Sequence, residues 1–419
     1  MERLVFHVDV NSAFLAWEAA RRVAAGEPDM RLIPACISGD PTKRTSVVLA
    51  KSIPAKKLGI RTGEPISMAL RKCPQLVIAP PDFALYERNS HAFMDICRRY
   101  TPTLEKYSID ECFLDMSGTE LLYPDPVAIA REIKDTIRDT LGFTVNVGIG
   151  PNKLLAKTAG DFEKPDKVHT LFYHEMAAKL WTLPVGELIS VGHNTADKLQ
   201  LARIRTVGEL AVYPLPSLQA LIGVKMGQQL HDYANGVDPS PVQAEAAEAK
   251  GYSVSTTLED DVTSHEAAHR LLLCLADSVA LRMRADGVQA GCIAVTVRYR
   301  DFKNRSHQCT LEASTDVTAE IYKTVQRLFN ELWDGHTPLR LLGVALTDLS
   351  REENGQLSFF TDEKHERGRK LDKAMDAIRE RYGVDMISRA SQFQSDSSRV
   401  GRKYRAHMEN KRDKDPEKP

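Results

Sequence analysis

Apolar runs and helical spacings alternate along the first 165 residues. They predict a buried strand at 3–8, a helix from Ser12 to about Ala25 and a strand near 46–49. The further predicted elements are a helix at 83–100, a tight hairpin at 103–116, a helix at 126–141, a strand at 143–149 and a helix from Pro151 that ends before Lys164-Pro165. This strand–helix–strand–strand–helix–strand order is that of a ferredoxin-like sheet with its helices on one face.

The pattern changes after residue 165. Short helices interrupted by glycine form two related units at 190–199 and 221–230, and a stretch rich in Pro and Ala without periodicity follows as a linker. A second βαββαβ unit is predicted with strands at 251–257, 290–300, 306–312 and 339–349 and helices at 263–285 and 316–333. The chain is therefore expected to be an α+β protein of several domains.

The tail from Ser350 is highly charged, with two exceptions. One is the segment Gln356-Leu-Ser-Phe-Phe360. The other is a helix at 366–382, in which spacings of three and four place several apolar residues on one face. These residues are Leu371, Met375, Ile378 and Tyr382. The spacing leaves open whether this helix packs on its own domain or meets another protein.

Composition is ordinary for a globular protein. The 419 residues exceed what one core usually serves, 42% are hydrophobic and 27% are charged. The net charge of −1 gives no bulk argument for nucleic-acid binding, so local patterning has to decide. The seven scattered cysteines disfavour a zinc site or a disulfide framework and indicate a cytoplasmic protein. No signal peptide and no membrane span are expected.

Three carboxylates carry the chemical signal. Asp110 and Glu111 are adjacent near the tip of the predicted hairpin, and Asp9 follows the predicted N-terminal strand core. Two bare carboxylates about 4 Å apart repel by roughly 4 kcal/mol at an effective dielectric of 20. Either one acid is protonated or a divalent cation holds them, and hard oxygen ligands suit magnesium. Since two such ions suit in-line displacement at phosphorus, phosphoryl or nucleotidyl transfer is the first hypothesis.

Three motifs in register resemble the Y-family, or lesion-bypass, DNA polymerases, the group of bacterial DNA polymerase IV and UmuC-type proteins. The motifs are Val8-Asp-Val-Asn-Ser-Ala-Phe14, Tyr107-Ser-Ile-Asp-Glu111 and Val147-Gly-Ile-Gly-Pro-Asn-Lys-Leu-Leu-Ala-Lys157. The resemblance runs from residue 4 to about 385. It implies a right-hand polymerase with a ferredoxin-like palm at 1–165, small fingers inserted at about 17–78, a helix-hairpin-helix thumb at 166–236, a linker at 237–249, a βαββαβ little finger at 250–350 and a tail at 351–419.

The resemblance also implies a reaction. Asp9, Asp110, Glu111 and the Val10 carbonyl would bind two magnesium ions. One ion would lower the pKa of a primer 3′-hydroxyl, and the other would bind the triphosphate and neutralise the departing pyrophosphate. The implied enzyme is a template-directed DNA polymerase that adds dNTPs for translesion synthesis, with low fidelity and without proofreading.

Three residues are expected at the nucleotide. Phe14 falls at the family's steric-gate position, where a rigid ring excludes a 2′-hydroxyl, although a Phe at a helix start taken alone more often packs into the core. Lys164 matches a lysine that reaches the triphosphate, and Lys56 falls where the fingers usually carry a basic residue. The fingers depart from the common pattern, because Ile53 stands in place of Tyr and Lys56 in place of Arg. Lysine binds phosphate as a point charge, without a bidentate fork.

Two regions are expected to contact DNA. The glycine units resemble the family's thumb, in which helix N-termini approach phosphates, with Ser190 in place of the usual first glycine. In the little finger, alternation puts Thr296, Arg298 and Arg300 on one strand face, which suits a DNA backbone without base readout. The candidates are Gly192, Lys198 and Gly223 in the thumb and Arg298, Arg300 and Lys303 in the little finger.

The segment 356–360 resembles the peptide that bacterial proteins insert into the sliding clamp. Exposed apolar anchors in a polar segment need a pocket, either on a partner or back on this protein. The candidate clamp-binding residues are Gln356, Leu357, Phe359 and Phe360. Primer–template DNA, dNTPs and the clamp are thus the expected partners of a monomeric protein that does not bind membranes.

Two rival hypotheses remain at this stage. A nucleotidyl cyclase also binds two metals through acids on a ferredoxin-like core, but it has no use for the glycine units, the basic sheet or the clamp-type peptide. A clamp-binding DNA scaffold with a decayed polymerase site is the non-enzymatic rival. The three intact acids argue against decay, whereas the altered fingers leave it possible.

Overall fold

The computed structural model describes residues 3–245, 248–351, 363–383 and 386–389, which belong to two compact units. The first unit contains β1 (Val5–Val10), α1 (Ala13–Ala24), β2 (Ala35–Ile37), β3 (Ala50–Lys51), α2 (Ile53–Lys57), α3 (Ile66–Lys72), β4 (Val77–Ala79), α4 (Phe83–Arg98), β5 (Leu104–Lys106), β6 (Glu111–Asp115), α5 (Pro126–Leu141), β7 (Val145–Gly150), α6 (Lys153–Gly160), β8 (Val168–Thr170), α7 (Met176–Lys179), α8 (His193–Leu201), α9 (Val207–Ala211), α10 (Leu215–Ile222) and α11 (Val224–Ala234). The second contains β9 (Gly251–Val262), α12 (His265–Ala285), β10 (Gln289–Tyr299), β11 (Asn304–Thr315), α13 (Thr318–Leu332), β12 (Leu339–Ser350) and α14 (Glu363–Tyr382).

The sheet that carries the acids has the strand order β5-β6-β1-β7-β8. Strand β1 is antiparallel to both β6 and β7, and β8 adds a parallel edge beside β7. With α4 and α5 as the connecting helices, β1, β5, β6 and β7 follow the ferredoxin-like order, so the predicted palm fold is confirmed. Residues of β1 such as Phe6 and Val8 are fully buried, which fixes the central strand in the core.

Helix α5 shows why these residues form these elements. Its N-cap Asp125 accepts hydrogen bonds from the backbone amides of Val127 and Ala128, and Pro126 occupies the first turn. Gly142 ends the helix with a φ of 76°, in the left-handed region that glycine adopts without strain. The predicted helix at 126–141 therefore has the predicted bounds.

Two glycines set the distance between β7 and α6. A Cβ atom at Gly148 would lie 2.0 Å from the carbonyl oxygen of Ala156, and one at Gly150 would lie 2.7 Å from the Ala156 amide nitrogen. Only glycine allows a helix to cross a strand this closely. The Val147-Gly-Ile-Gly150 sequence thereby brings Lys157, which is on α6, up to the acid-bearing strands.

The small sheet of the fingers has the order β3-β2-β4. The strand predicted near 46–49 is wrong, because the ladder with β2 begins only at Ala50. Val47 forms an isolated bridge with Pro65, and buried Val48 fills the small core of this region. The apolar run that predicted a strand is thus explained by burial beside a turn.

The thumb helices α8–α11 pack around a core that also includes Leu155 and Ala159 of α6 and Met176 of α7. Helix α8 begins after Gly192 and α11 begins after Gly223, whose φ is 94°. Ser190, which stands in place of the usual glycine, also has a positive φ of 75°. The backbone there requires the conformation that glycine supplies, so serine occupies it at a cost of roughly 1 kcal/mol.

The second unit has the predicted βαββαβ order, with strands arranged β11-β10-β12-β9. Alternate β10 residues Ile293, Val295 and Val297 are fully buried against α12 and α13. Strands β9 and β11 are longer than predicted, because polar residues continue the ladders beyond the apolar core. The βαββαβ fold predicted for this domain is confirmed.

Helix α14 packs on the second unit through charged residues. Asp372 accepts a hydrogen bond from the Thr318 amide (2.7 Å), and Arg379 forms a buried ion pair with Asp277 (2.7 Å). Among the four apolar residues predicted to share a face, Met375 is buried at 6% exposure. The other three, Leu371, Ile378 and Tyr382, are 52%, 37% and 58% exposed.

Candidate active site

The three predicted acids meet at one edge of the palm sheet. Asp9 in β1 pairs with Glu111 in β6, and Asp110 directly precedes β6. The Val10 amide donates to the Asp110 carbonyl over 2.9 Å, which ties the two strands together at this point. Asp9, Val10 and Asp110 line a cleft of about 270 Å³.

Each acid has a different partner. Lys164 contacts the Oδ2 atom of Asp9, and the Ser108 hydroxyl donates to Oδ1 of Asp110 over 2.6 Å. Glu111 Oε2 is contacted by both Lys157 and the Nε2 atom of His7, the latter at 2.8 Å. The protein thus surrounds its carboxylates with donors on the strand side and on α6.

The pKa values of Asp9 and Glu111 are shifted in opposite directions, because burial prevails at Asp9 and the positively charged or hydrogen-bonding partners prevail at Glu111. Burial raises the pKa of Asp9, the charge of Asp110 adds to this effect, and Lys164 only partly offsets it. Burial alone would also raise the pKa of Glu111, but hydrogen bonds from His7 and Lys157 together with the Lys157 charge lower it to about 2. The positive charge near Asp9 therefore does not compensate for its burial, whereas the partners of Glu111 more than compensate for the burial of that carboxylate.

The donor set fits a hard divalent cation. Asp9 and Asp110 offer carboxylate oxygens and Val10 offers a carbonyl oxygen, the ligand types that Mg²⁺ prefers. Lys164 contacts Asp9, and a cation bound beside Asp9 and Asp110 would offset the burial that raises the Asp9 pKa. In the described part of the chain, no group of three acid, His or Cys side chains converges into a complete metal centre. The Oε2 atom of Glu111 faces His7 and Lys157.

Phe14 both packs and lines the cleft. Its ring stacks on Tyr86 with centroids 4.6 Å apart, and Trp17 and Phe83 lie at 6.0 and 6.3 Å. The same side chain is among the residues that line the cleft beside Asp9. Packing into an aromatic cluster therefore fixes the Phe14 ring in place. Its burial in the core and a role as a steric gate at the cleft are thus compatible.

The fingers present a different lysine from the predicted one. Leu49, Ala50, Lys51 and Thr62 line the cleft on this side. Lys56 lies on α2, is exposed and is not among the lining residues. The nucleotide contact of Lys56 stays a prediction, and Lys51, which opens the basic stretch of the fingers, was not among the predicted site residues.

Two asparagines hold the turn that carries Lys164. Asn146, fully buried in β7, donates to the carbonyls of Gly160 (3.1 Å) and Glu163 (2.7 Å). Asn11 donates to the Asn146 side chain (3.1 Å) and accepts from the Asp166 amide (3.0 Å). Neither asparagine was predicted as a site residue, since a buried amide has no distinctive sequence pattern.

The predicted DNA-binding residues of the thumb lie at or near helix N-termini. Gly192 and Gly223 immediately precede α8 and α11, and a Cβ atom at either would meet no other atom within 4 Å. Lys198 is exposed on α8. Open space and free helix-end amides are what a close approach by phosphate requires, and the role itself stays a prediction.

In the little finger, the predicted strand face is only partly correct. Arg298 lies in β10 and donates to Asn304 over 2.7 Å. Arg300 lies beyond the end of β10 at Tyr299, because the chain turns there into β11. Its side chain and that of Lys303 are each 81% exposed, and Lys303 pairs with Asp301 at 2.9 Å. The clamp-binding candidates at 356–360 lie outside the described residues.

Three family models match the chain. They are the impB/mucB/samB family at residues 8–161, the DNA polymerase-iota thumb domain at 186–238 and the impB/mucB/samB family C-terminal domain at 249–359. A DNA polymerase IV of Clostridium acetobutylicum is 44% identical, covering 93% of this chain and 98% of its own. DNA polymerase IV 1 of Bacillus subtilis is 33% identical, covering 95% of both chains. A solved Y-family DNA polymerase chimera superposes with a TM-score of 0.73 at 23% identity, covering 83% of this chain and all of its own.

The palm with its cleft, together with the matched thumb, places this protein among the enzymes that copy DNA. The chain is a DNA-directed DNA polymerase. It belongs to the Y family of DNA polymerases, in the bacterial group of DNA polymerase IV and UmuC-like proteins. Within the described ranges, no helix is long and apolar enough to cross a membrane.

Proposed function

We propose that the protein extends a DNA primer by two-metal nucleotidyl transfer and is specialised for translesion synthesis. The observation that carries this proposal is the cleft, which Asp9, Val10, Phe14 and Asp110 line together in a member of this family. When bound, two Mg²⁺ ions would activate the primer hydroxyl and neutralise the departing pyrophosphate. Asp9, Asp110, Glu111 and Val10 are the residues that would hold them.

Other residues position the acids and the nucleotide. Ser108 fixes one oxygen of Asp110. His7 and Lys157 orient Glu111 from the strand side and from α6. Lys164 neutralises Asp9 and, held in a turn beside it, is placed to contact a triphosphate. Catalysis would then depend mainly on positioning and charge stabilisation, as in other phosphoryl transfers.

Phe14 would select deoxyribonucleotides. Its ring stacks on Tyr86 and lines the cleft, so a 2′-hydroxyl placed against it would meet a side chain that is held in position by packing. We expect Phe14→Val to increase ribonucleotide incorporation relative to deoxyribonucleotide incorporation by more than about tenfold, which corresponds to roughly 1.4 kcal/mol. Competition between matched ATP and dATP opposite template T measures the ratio. If Phe14→Val leaves the ratio of ribonucleotide to deoxyribonucleotide incorporation unchanged, Phe14 is not the steric gate.

Lesion tolerance and low fidelity follow from the size of the fingers. The described fingers consist of a three-stranded sheet of two- and three-residue strands and two short helices. Such a small element can enclose little of a nascent base pair. Distorted template bases would therefore be accepted, and mismatches would be rejected only weakly.

Duplex binding would use the thumb and the little finger. Gly192, Lys198 and Gly223 would approach backbone phosphates, and Arg298, Arg300 and Lys303 would add charge contacts. Contacts of this kind make affinity for DNA depend steeply on salt and hardly on sequence.

Clamp binding through 356–360 rests on sequence alone. We expect deletion of these five residues to leave distributive synthesis intact and to remove stimulation by the bacterial sliding clamp. Primer extension with and without a loaded clamp is the measurement. Equal stimulation of the deletion variant would exclude this segment as the contact.

The decisive experiment is extension of a labelled primed template with Mg²⁺ and dNTPs, beside an Asp110→Ala control. We expect extension by the wild type on intact and damaged templates and none by the variant. Duplex binding without extension by the wild type would favour the scaffold hypothesis. Formation of a cyclic nucleotide without any need for a primed template would favour the cyclase.

A further inference from the structure

The fingers side of the cleft carries a lysine to which the motif comparison gives no role. Of the described residues that line the cleft, Lys51 alone is basic. It ends the two-residue strand β3 and pairs with Cys36 of β2, so its backbone position is fixed by the small sheet. Its Nζ atom donates to the Thr62 hydroxyl over 2.9 Å, and Thr62 lines the same cleft. The ammonium group is thus held at the wall of the candidate nucleotide site.

The charge of Lys51 is poorly compensated. Burial lowers its pKa, the neighbouring charge of Lys56 lowers it further, and Glu64 opposes these effects only in part. No carboxylate of the described residues lies within ion-pair distance of Lys51, and its one side-chain partner is a neutral hydroxyl. An anion in the cleft would supply the missing counter-charge.

Lys56 lacks these properties although it is only five residues away. The chain turns after β3, and the Ser52 hydroxyl caps α2 by accepting from the Ala55 amide. Lys56 therefore projects from a helix rather than from the sheet edge, and it is exposed outside the cleft lining. The two lysines have the same chemistry and different surroundings, which makes them a matched pair.

We propose that Lys51, held by Thr62, is the fingers residue that contacts the triphosphate of the incoming nucleotide. This inference rests on the proposed function. The negative charge of a dNTP lies in its triphosphate, and the palm side of the cleft is lined by Asp9 and Asp110. The ammonium group of Lys51 on the fingers side of the cleft would complement the negative charge of the triphosphate. Lysine does so as a point charge, without the bidentate geometry of an arginine.

The first test compares Lys51→Met with Lys56→Met in steady-state primer extension with each of the four dNTPs. We expect Lys51→Met to raise KM roughly tenfold for every dNTP, as for loss of one charge-assisted hydrogen bond, with kcat changed less than about twofold. Lys56→Met removes the same charge from outside the cleft lining, so its effect on KM should be clearly smaller than that of Lys51→Met. Lys51→Arg, which keeps the charge, should recover most of the affinity.

A second measurement uses tripolyphosphate, which has neither sugar nor base. Its inhibition constant against dNTP should weaken roughly tenfold in Lys51→Met and by a clearly smaller factor in Lys56→Met. Primer–template affinity, measured by fluorescence anisotropy, should be the same in all variants.

Three outcomes would overturn the inference. The first is a KM in Lys51→Met that equals the wild-type value, and the second is a rise in KM confined to purine nucleotides, which indicates a contact with the base. The third is a larger rise in KM in Lys56→Met than in Lys51→Met. In each of these the wild type still extends primers and Asp110→Ala does not, so the proposed function would survive. Absence of wild-type extension would instead refute the function itself.

Discussion

Replacing Glu111 by Gln should destabilise the palm at neutral pH, although it removes one acid from a cluster of acids. The hydrogen bonds from His7 and Lys157 lower the Glu111 pKa from 4.5 to about 2. A difference of about 2.5 units corresponds to about 3 kcal/mol of stability, since each unit is worth roughly 1.4 kcal/mol. The side chain is 15% exposed, so solvent screening reduces this value only slightly.

The pH dependence follows from the direction of the shift. A carboxylate with a lowered folded-state pKa contributes its full stability above pH 4.5, and this contribution is lost as the pH falls towards 2. The Glu111→Gln deficit should therefore be largest at pH 7.5 and smaller at pH 3.5. Urea unfolding with EDTA present measures it without any metal contribution.

The palm can be observed separately through Trp17, which is fully buried in its core. The chain has three tryptophans, so a Trp181→Phe, Trp333→Phe background leaves Trp17 as the fluorescent reporter. Asp9→Asn in the same background is the matched control. Burial raises the Asp9 pKa, so its charge costs stability and its removal should leave the palm unchanged or more stable.

Two results would refute this reasoning. One is a Glu111→Gln variant that is as stable as the wild type at pH 7.5. The other is a loss of unfolding free energy in this variant that stays the same when the pH is lowered. A loss of stability in Asp9→Asn equal to that in Glu111→Gln would show that the two acids do not differ in their surroundings.

Two further predictions concern packing and buried charge. Gly148→Ala should destabilise the palm by at least about 3 kcal/mol, because its Cβ would meet the Ala156 carbonyl at 2.0 Å; Trp17 fluorescence in urea measures this, and an unchanged midpoint would contradict the close crossing. Arg379→Met should lower the stability of the second unit by about 3–5 kcal/mol, since it leaves buried Asp277 without its main partner. Adding Asp277→Leu should recover most of this loss in thermal unfolding, whereas additive losses would refute the ion-pair explanation.

Local patterns predicted the elements best where capping and periodicity agree. Helix α5 has an Asp125 cap, Pro126 in its first turn and Gly142 after its end, so its bounds were predictable. The segment at 46–49 has the composition of a strand, but its pairing depends on Pro65, which is distant in sequence. Arg300 follows the alternation of β10, and no periodicity shows that the strand ends one residue earlier.

The candidate site was predictable to the extent that motifs carry it. Asp9, Asp110 and Phe14 belong to such motifs and line one cleft. Lys51 and Asn146 act through tertiary contacts, with Thr62 in one case and with the turn after α6 in the other, which a single sequence does not encode locally. For α14 the apolar spacing predicted the helix, but three of the four apolar residues are exposed, and Arg379 and Asp376 contact charged partners on another element, which spacing does not reveal.

The asparagine pair beneath Lys164 determines how the site can exchange cations. Asn146 and Asn11 fix the main chain of the turn at Glu163 and Asp166, on both sides of the lysine. In the proposed reaction, Lys164 would have to release Asp9 when a metal ion and a triphosphate bind, and with an anchored backbone only its side-chain torsions would need to change. Rotamer changes take nanoseconds or less, whereas loop displacements take far longer. If Lys164 gives up Asp9 to a bound cation as proposed, we therefore expect this exchange to be fast compared with a loop movement.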